Sequence, residues 1–253
     1  MIAEVARRPI GGRVHDPAFL AELADVDWSS IGRGYSDGLA VDTVFRKLAT
    51  LPPGPERDEV FNDLWQDLLH QGTVSPATAP ALPILVSFAE GTEQPLRGHA
   101  LALVGACAFP FTRFTHPGMP LAEADDPARL AVFRLLPRLV DLADSDARSR
   151  PWVAVSLAAF PDAALELSSS ALHRWKAAAV TENERAVYCL SLLILGQRTD
   201  DVLAEVSAWA ERFDQDIDPD VVIPLLTTPP RNYQDLAYCG NAMFDAAAFA
   251  AGE

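Results

Sequence analysis

The acidic residues from Asp200 to Asp220 are the part of this chain whose residue types and spacing most strongly suggest a binding or chemical role. Eight acidic residues fall in this stretch, against one basic residue, Arg212. Gathered on one face, these side chains would attract a cationic partner; facing solvent, they would only keep the protein soluble. The sequence leaves both interpretations open. The candidate partner-binding residues are Asp200, Asp201, Glu205, Asp214, Asp216, Asp218 and Asp220.

Residues 214–220 alternate acidic side chains in the manner of an EF-hand calcium loop. Such a loop needs glycine at its sixth position and glutamate at its twelfth, where this chain has Pro219 and Leu225. The pattern therefore excludes an EF-hand and leaves only a loose cation site as an alternative. We favour an acidic turn between helices, with Asp218 or Asp220 capping the next helix.

Other catalytic and metal-binding patterns are missing from the sequence. It contains no Gly-x-Ser-x-Gly elbow and no Walker loop, and Gly32-Arg33-Gly34 lacks the rest of a dinucleotide fingerprint. The five histidines share no metal-ligand spacing, and the three cysteines form no CxxC pair. We expect no catalytic residue, no cofactor and no metal, and we interpret the chain as a binding protein rather than an enzyme.

The charge balance narrows the class of partner. Twenty lysines and arginines stand against 35 aspartates and glutamates, a formal net charge of -15. This surface repels phosphate backbones, so we expect no nucleic-acid partner, and it favours encounter with basic proteins. The uncharged stretch 71–89 is interrupted by prolines, so we expect no membrane span. Isolated cysteines in apolar surroundings predict a reduced, cytoplasmic protein.

Apolar residues recur at helical spacing along the chain, and proline clusters where helices should begin or end. The pattern predicts an all-α protein. We expect a loop near 111–127, a second break at 227–241 and a C-terminal capping helix near 242–251. The clearest apolar stripe is formed by Phe61, Leu64, Trp65, Leu68 and Leu69. Further predicted core positions are Leu130, Phe133, Leu136, Leu139, Val202, Val206 and Trp209.

Two blocks of sequence occur twice in the same order. Residues 82–89 resemble 136–143, and residues 101–110 resemble 152–161. The second copies follow about 51 to 54 residues after the first, the length of a repeated helix pair. Each unit begins with a helix carrying an early proline and ends with a small-residue-rich helix closing in Ala-Phe-Pro. Such pairs bury their apolar faces by stacking on one another.

This repeated unit resembles the HEAT-repeat family. Residues 25–30, 64–74 and 77–83 are similar, more narrowly, to a recurrent bacterial group of HEAT-repeat proteins. The resemblance extends over residues 20–110 and is loose beyond them. It implies an α-α superhelix, a helical-repeat solenoid forming one domain over residues 1–253, with a scaffold-like role. It implies no particular reaction.

Three roles are compatible with this pattern. The first is an inhibitor or immunity-type protein that occludes a basic protein partner, such as a bacterial toxin effector, by charge-steered encounter. The second is a general scaffold or regulatory adaptor. The third, an enzyme of the HEAT-like kind that acts on DNA, would need a basic groove, which the charge argues against.

Overall fold

A computed structural model describes residues 17–31, 38–70, 73–109, 127–161, 164–212, 228–230 and 233–252. The described chain is helical almost throughout, which confirms the all-α prediction. Its helices are α1 (Pro17–Ala24), α2 (Gly38–Thr50), α3 (Pro55–Leu68), α4 (Thr78–Gly91), α5 (Leu96–Ala108), α6 (Pro127–Ser145), α7 (Arg150–Ala158), α8 (Leu165–Ala178), α9 (Glu182–Ile194), α10 (Asp200–Arg212) and α11 (Tyr233–Ala251). Two 3-10 turns accompany them, Trp28–Ser30 and Ala147–Ser149.

Local sequence signals explain where several helices begin. Thr181 and Glu184 form a reciprocal capping box at the start of α9. Pro55 occupies the first turn of α3, where a missing N–H costs nothing, and acidic residues follow it in that turn. Asp146 caps the 3-10 turn ahead of α7 by accepting from the Arg148 amide at 3.2 Å. Capping and turn chemistry thus separate the helices at short intervals.

One continuous row of packed helices runs through α5, α7 and α9. Helix α4 packs on α6, while α5 packs on α7 and α7 packs on α9. Each helix also packs on its neighbour in sequence from α4 through α10. Helix α11 lies against α9 and α7 and reaches α5, so it covers one side of the row formed by these three helices. Because α11 packs on them in addition to their neighbouring helices, α5 and α7 are buried around nearly their whole circumference.

Small residues allow this close packing, as the repeat blocks predict. A side chain at Gly105 would place its Cβ only 2.9 Å from Cγ1 of Val155, a contact that real structures avoid. Helices α5 and α7 therefore approach each other at a distance that only glycine permits at this point. The predicted core positions Val202, Val206 and Trp209 are likewise fully buried.

The structure differs from the sequence-based expectation in the placement of the repeat prolines. Pro83 and Pro137 lie inside α4 and α6, whereas the repeat pattern places them near the starts of these helices. Neighbouring helices hold both segments helical despite the lost backbone bond, an override of local propensity by packing.

Two expected breaks also differ in the structure. The last helix begins at Tyr233 rather than near residue 242, so most of the expected break at 227–241 is helical where it is described. The expected loop at 111–127 lies outside the described residues except for Pro127, which starts α6. A two-residue hairpin, Leu69–His70 paired with Thr73–Val74, follows α3. No helix in the described ranges is long and apolar enough to cross a membrane.

Candidate functional site

Three of the seven predicted acidic residues lie on α10, and two of them are used within the protein. The side chain of Asp201 accepts from the ammonium group of Lys176 on α8 and from the hydroxyl of Thr199. These hydrogen bonds, that of Lys176 first, lower the pKa of Asp201 well below its ordinary value. Glu205 forms an ion pair with Arg185 on α9 at 3.6 Å. The two carboxylates therefore link α10 to α8 and to α9.

Asp200 behaves differently from these two. It is exposed in the first turn of α10, and it forms no hydrogen bond or ion pair with any residue that the structure describes. Asp214, Asp216, Asp218 and Asp220, together with the loose cation site considered for this run, lie outside the described residues. Of the predicted acidic residues that are described, only Asp200 is thus free to meet a partner.

A groove that sequence reasoning missed lies between α6 and α8. Both helices pack on α7 but barely on each other, and the space between them measures about 860 Å³. Apolar side chains from both helices line it and remain accessible. The residues of this groove used below are Phe133, Arg134, Pro137, Leu165, Leu167 and Arg174.

The apolar wall of the groove includes two exposed leucines. Leu165 is 38% exposed and Leu167 is 36% exposed, although both sit in the first turn of α8. Phe133 and Pro137 of α6 line the opposite wall, and Leu130, on the same face of α6 but outside the groove lining, is 40% exposed. Large apolar side chains grouped at an open surface mark interaction sites more often than single exposed ones do.

The sequence pattern assigned Leu130 and Phe133 of α6 to the core, and the structure buries them less fully than this. Leu130 is exposed, because α8 does not close over α6 at this point. Phe133 is half-buried and packs against the core, with its ring 5.5 Å from that of Phe160.

Polar groups beside the groove could fix the orientation of a bound segment. Pro137 has no N–H, so the carbonyl of Phe133 lacks its usual helical donor four residues later. Arg134 is exposed and forms no ion pair with a described residue. Arg174 is held in place by Asp144 at 2.9 Å and by the hydroxyl of Ser170 at 3.1 Å. An occupant could therefore accept from an exposed guanidinium beside an apolar floor.

Nucleophilic and metal-binding chemistry finds little support in the described ranges. No group of three or more His, Cys, Asp or Glu side chains there is arranged to hold a metal ion. Cys107, Cys189 and Cys239 are buried, as predicted, and none of them forms a disulfide bond. Burial is the main cause that raises the pKa of Cys189 to about 11 and that of Cys239 to about 12. These two thiols are therefore poor nucleophiles at neutral pH.

His70 has a different setting from the one predicted. The His-Gln-Gly run predicts a helix C-terminus with His70 in its last turn. In the structure α3 ends at Leu68, and His70 pairs with Thr73 in the short hairpin. The hairpin is supported by the Thr78 hydroxyl, which donates to the Leu68 carbonyl at 2.6 Å.

Comparison with known proteins adds no relative to this picture. No protein-family model, no curated protein and no solved structure matches this chain.

Proposed function

We propose that this protein is a non-enzymatic protein-binding module, built as a HEAT-like α-solenoid, that occludes a basic protein partner. An inhibitor or immunity-type role, in which the partner is a toxic effector, is the form we favour. The repeated sequence blocks and the packed row formed by α5, α7 and α9 support the solenoid. The observation that most directly supports a binding role is the α6–α8 groove with its exposed leucines.

The groove suits an extended or helical segment of a partner better than a small substrate. It is open along two helices and combines an apolar floor with the exposed guanidinium of Arg134, which pairs with no carboxylate among the described residues. Interfaces are anchored by a few buried apolar or aromatic side chains, with polar groups fixing their orientation. Leu165 and Leu167 would supply such anchors, and Arg134 would meet a carbonyl or carboxylate of the inserted segment.

Net charge supports the choice of a basic partner. A formal charge of -15 creates a long-range field that accelerates association with cationic proteins and slows association with nucleic acids. Because Asp201 and Glu205 are already paired internally, we assign this steering to the overall field and to unpaired acids such as Asp200. The groove then provides the short-range contact. A general scaffold or regulatory adaptor would use the same surface.

The experiment is a comparative capture of proteins from an extract of the source organism. Wild-type protein, the double variant Leu165→Asp/Leu167→Asp and the variant Val180→Asp are immobilised and their bound proteins quantified by mass spectrometry. Val180 is 87% exposed in the α8–α9 connection and lies outside the groove, so it controls for the added charge.

We expect one basic protein to be retained by the wild type and by Val180→Asp and to be lost with the groove variant. A protein retained equally by all three would contradict binding at the groove. An acidic protein lost only with the groove variant would contradict the charge argument. Catalytic activity of this protein on the captured partner would contradict the non-enzymatic role.

A further inference from the structure

A second cavity lies where α3 and α5 begin, far smaller than the groove. Residues before and within the first turns of both helices form its wall, and it measures about 260 Å³. Cavities that hold drug-sized ligands measure about 300–1,000 Å³. This cavity therefore has room for one small ligand only.

Arg57, in the first turn of α3, lines the cavity with a charge that no carboxylate among the described residues pairs with. Its side chain is buried, with 6% of the residue exposed, and its guanidinium lies 5.1 Å from the ring centre of Phe88. Its Nε has no hydrogen-bond partner, and no described carboxylate forms an ion pair with it. Burial lowers the pKa of Arg57, and neighbouring Asp58 opposes this only in part. An arginine nonetheless stays protonated in proteins, so the positive charge persists.

Gln94 offers a second unused donor at the same cavity. Its Oε1 accepts from the amide of Gly98 at 3.1 Å, which fixes the side-chain orientation. Its Nε2 is buried and has no hydrogen-bond partner. A buried amide nitrogen without an acceptor is destabilising, so an acceptor on a bound ligand would satisfy it.

The helix directions add to the positive character of the cavity. Helices α3 and α5 both begin at its wall, and each helix N-terminus carries a partial positive charge. Asp58 and Glu93 also line the cavity but are exposed to solvent. Their negative charges disfavour a large polyanion. The charge of a single small oxyanion would be balanced by the neighbouring Arg57 guanidinium.

We infer that this cavity binds one small oxyanion, a carboxylate or a single phosphate group, through the Arg57 guanidinium and the Gln94 amide. The cavity is formed by α3, α5 and their preceding loops, whereas the groove lies between α6 and α8. The inference is therefore independent of the proposed partner.

The experiment follows the arginine Nε–H resonances by NMR while inorganic phosphate, acetate or glycine is added at constant ionic strength. Arg57→Met identifies the Arg57 resonance and retains an apolar stem against Phe88. Arg46→Met serves as the matched control, because Arg46 is an exposed arginine paired with Asp42 at 2.9 Å. Gln94→Glu keeps the side-chain shape but replaces the donor with a like charge.

We expect a saturable shift of the Arg57 resonance with at least one probe, at a dissociation constant of about 1 mM or below. Phosphate binding alone would assign a phosphate ligand, and acetate or glycine binding alone would assign a carboxylate. Binding should be retained in Arg46→Met and weakened at least about tenfold in Gln94→Glu, since an acceptor would then face a carboxylate.

Absence of any saturable shift up to about 20 mM of all three probes, well above that dissociation constant, would overturn the inference. So would equal binding by wild type and Gln94→Glu. If Arg57→Met does not fold, Arg57→Lys identifies the Arg57 resonance instead, and the Gln94→Glu titration decides the question. Weakened binding in Gln94→Glu supports the site, and unchanged binding refutes it.

Discussion

Ala108 and Ala159 present their carbonyl oxygens to one and the same guanidinium group, that of Arg129 on α6. Nη1 donates to Ala108 at 2.6 Å and Nη2 donates to Ala159. The two alanines hold equivalent places in the repeated blocks, each just ahead of the phenylalanine of Ala-Phe-Pro. The guanidinium also stacks over the ring of Phe160 at 4.4 Å. One arginine therefore joins the ends of α5 and α7.

Replacing Arg129 by Met should destabilise the fold. Two buried carbonyls would lose their donor, and each unsatisfied group costs about 1–3 kcal/mol, so we expect a loss of roughly 2–4 kcal/mol in unfolding free energy. Urea unfolding followed by circular dichroism measures this loss. Arg134→Met, an exposed position on the same helix, should change the free energy by less than about 0.5 kcal/mol. Equal effects of both substitutions would contradict the bridging role.

Parts of this arrangement could be predicted from sequence and parts could not. The repeated blocks and apolar spacing predict the helices and the close approach at Gly105, because both depend on local periodicity and residue size. The Arg129 bridge could not be predicted, because it joins residues 21 and 30 positions apart through a side chain with no repeated counterpart. The groove depends on how far α8 stands from α6, which periodicity does not encode.

The candidate site illustrates the same limit. The acidic run of α10 is visible in the sequence, but the pairing of Asp201 with Lys176 and of Glu205 with Arg185 depends on the placement of α8 and α9. Charge alone therefore overstated how much of this run is available to a partner.

Asp146 should make the stability depend on pH in the acid range. Burial acts to raise its pKa, but hydrogen bonds from Arg97 at 2.6 Å and Ser149 at 2.9 Å outweigh this and lower the pKa. A carboxyl with a lowered folded-state pKa stabilises the protein above its unfolded value of about 3.9, and this contribution disappears as the pH falls through the folded value.

The measurement compares the unfolding free energy of wild type and Asp146→Asn at several pH values. At neutral pH we expect the variant to be less stable by about 2 kcal/mol, because a largely buried Arg97 loses its charged partner. The difference should shrink below about pH 4. Asp141→Asn, an exposed change on the preceding helix α6, should alter the unfolding free energy by less than about 0.5 kcal/mol at neutral pH. A pH-independent difference for Asp146→Asn would refute the linkage.

The buried thiols should be unreactive in the folded protein. With pKa values of about 11 and about 12, Cys189 and Cys239 are thiolate to about one part in a thousand or less at pH 8. Alkylation by iodoacetamide, read by mass spectrometry, should therefore be slow at both in native protein and fast in urea. Rapid native labelling of Cys239 alone would indicate that α11 detaches from the α7–α9 surface. Rapid labelling of both cysteines would contradict the packing described above.

The central claim, that a charged field steers a basic partner to the α6–α8 groove, is tested most directly by binding kinetics. Association and dissociation rates of the captured partner, once purified, are measured for wild type and Leu165→Asp/Leu167→Asp over a range of salt concentrations. We predict a wild-type association rate that falls steeply with salt, and a groove variant that dissociates at least about tenfold faster. An association rate insensitive to salt, or an unchanged dissociation rate in the groove variant, would contradict the account.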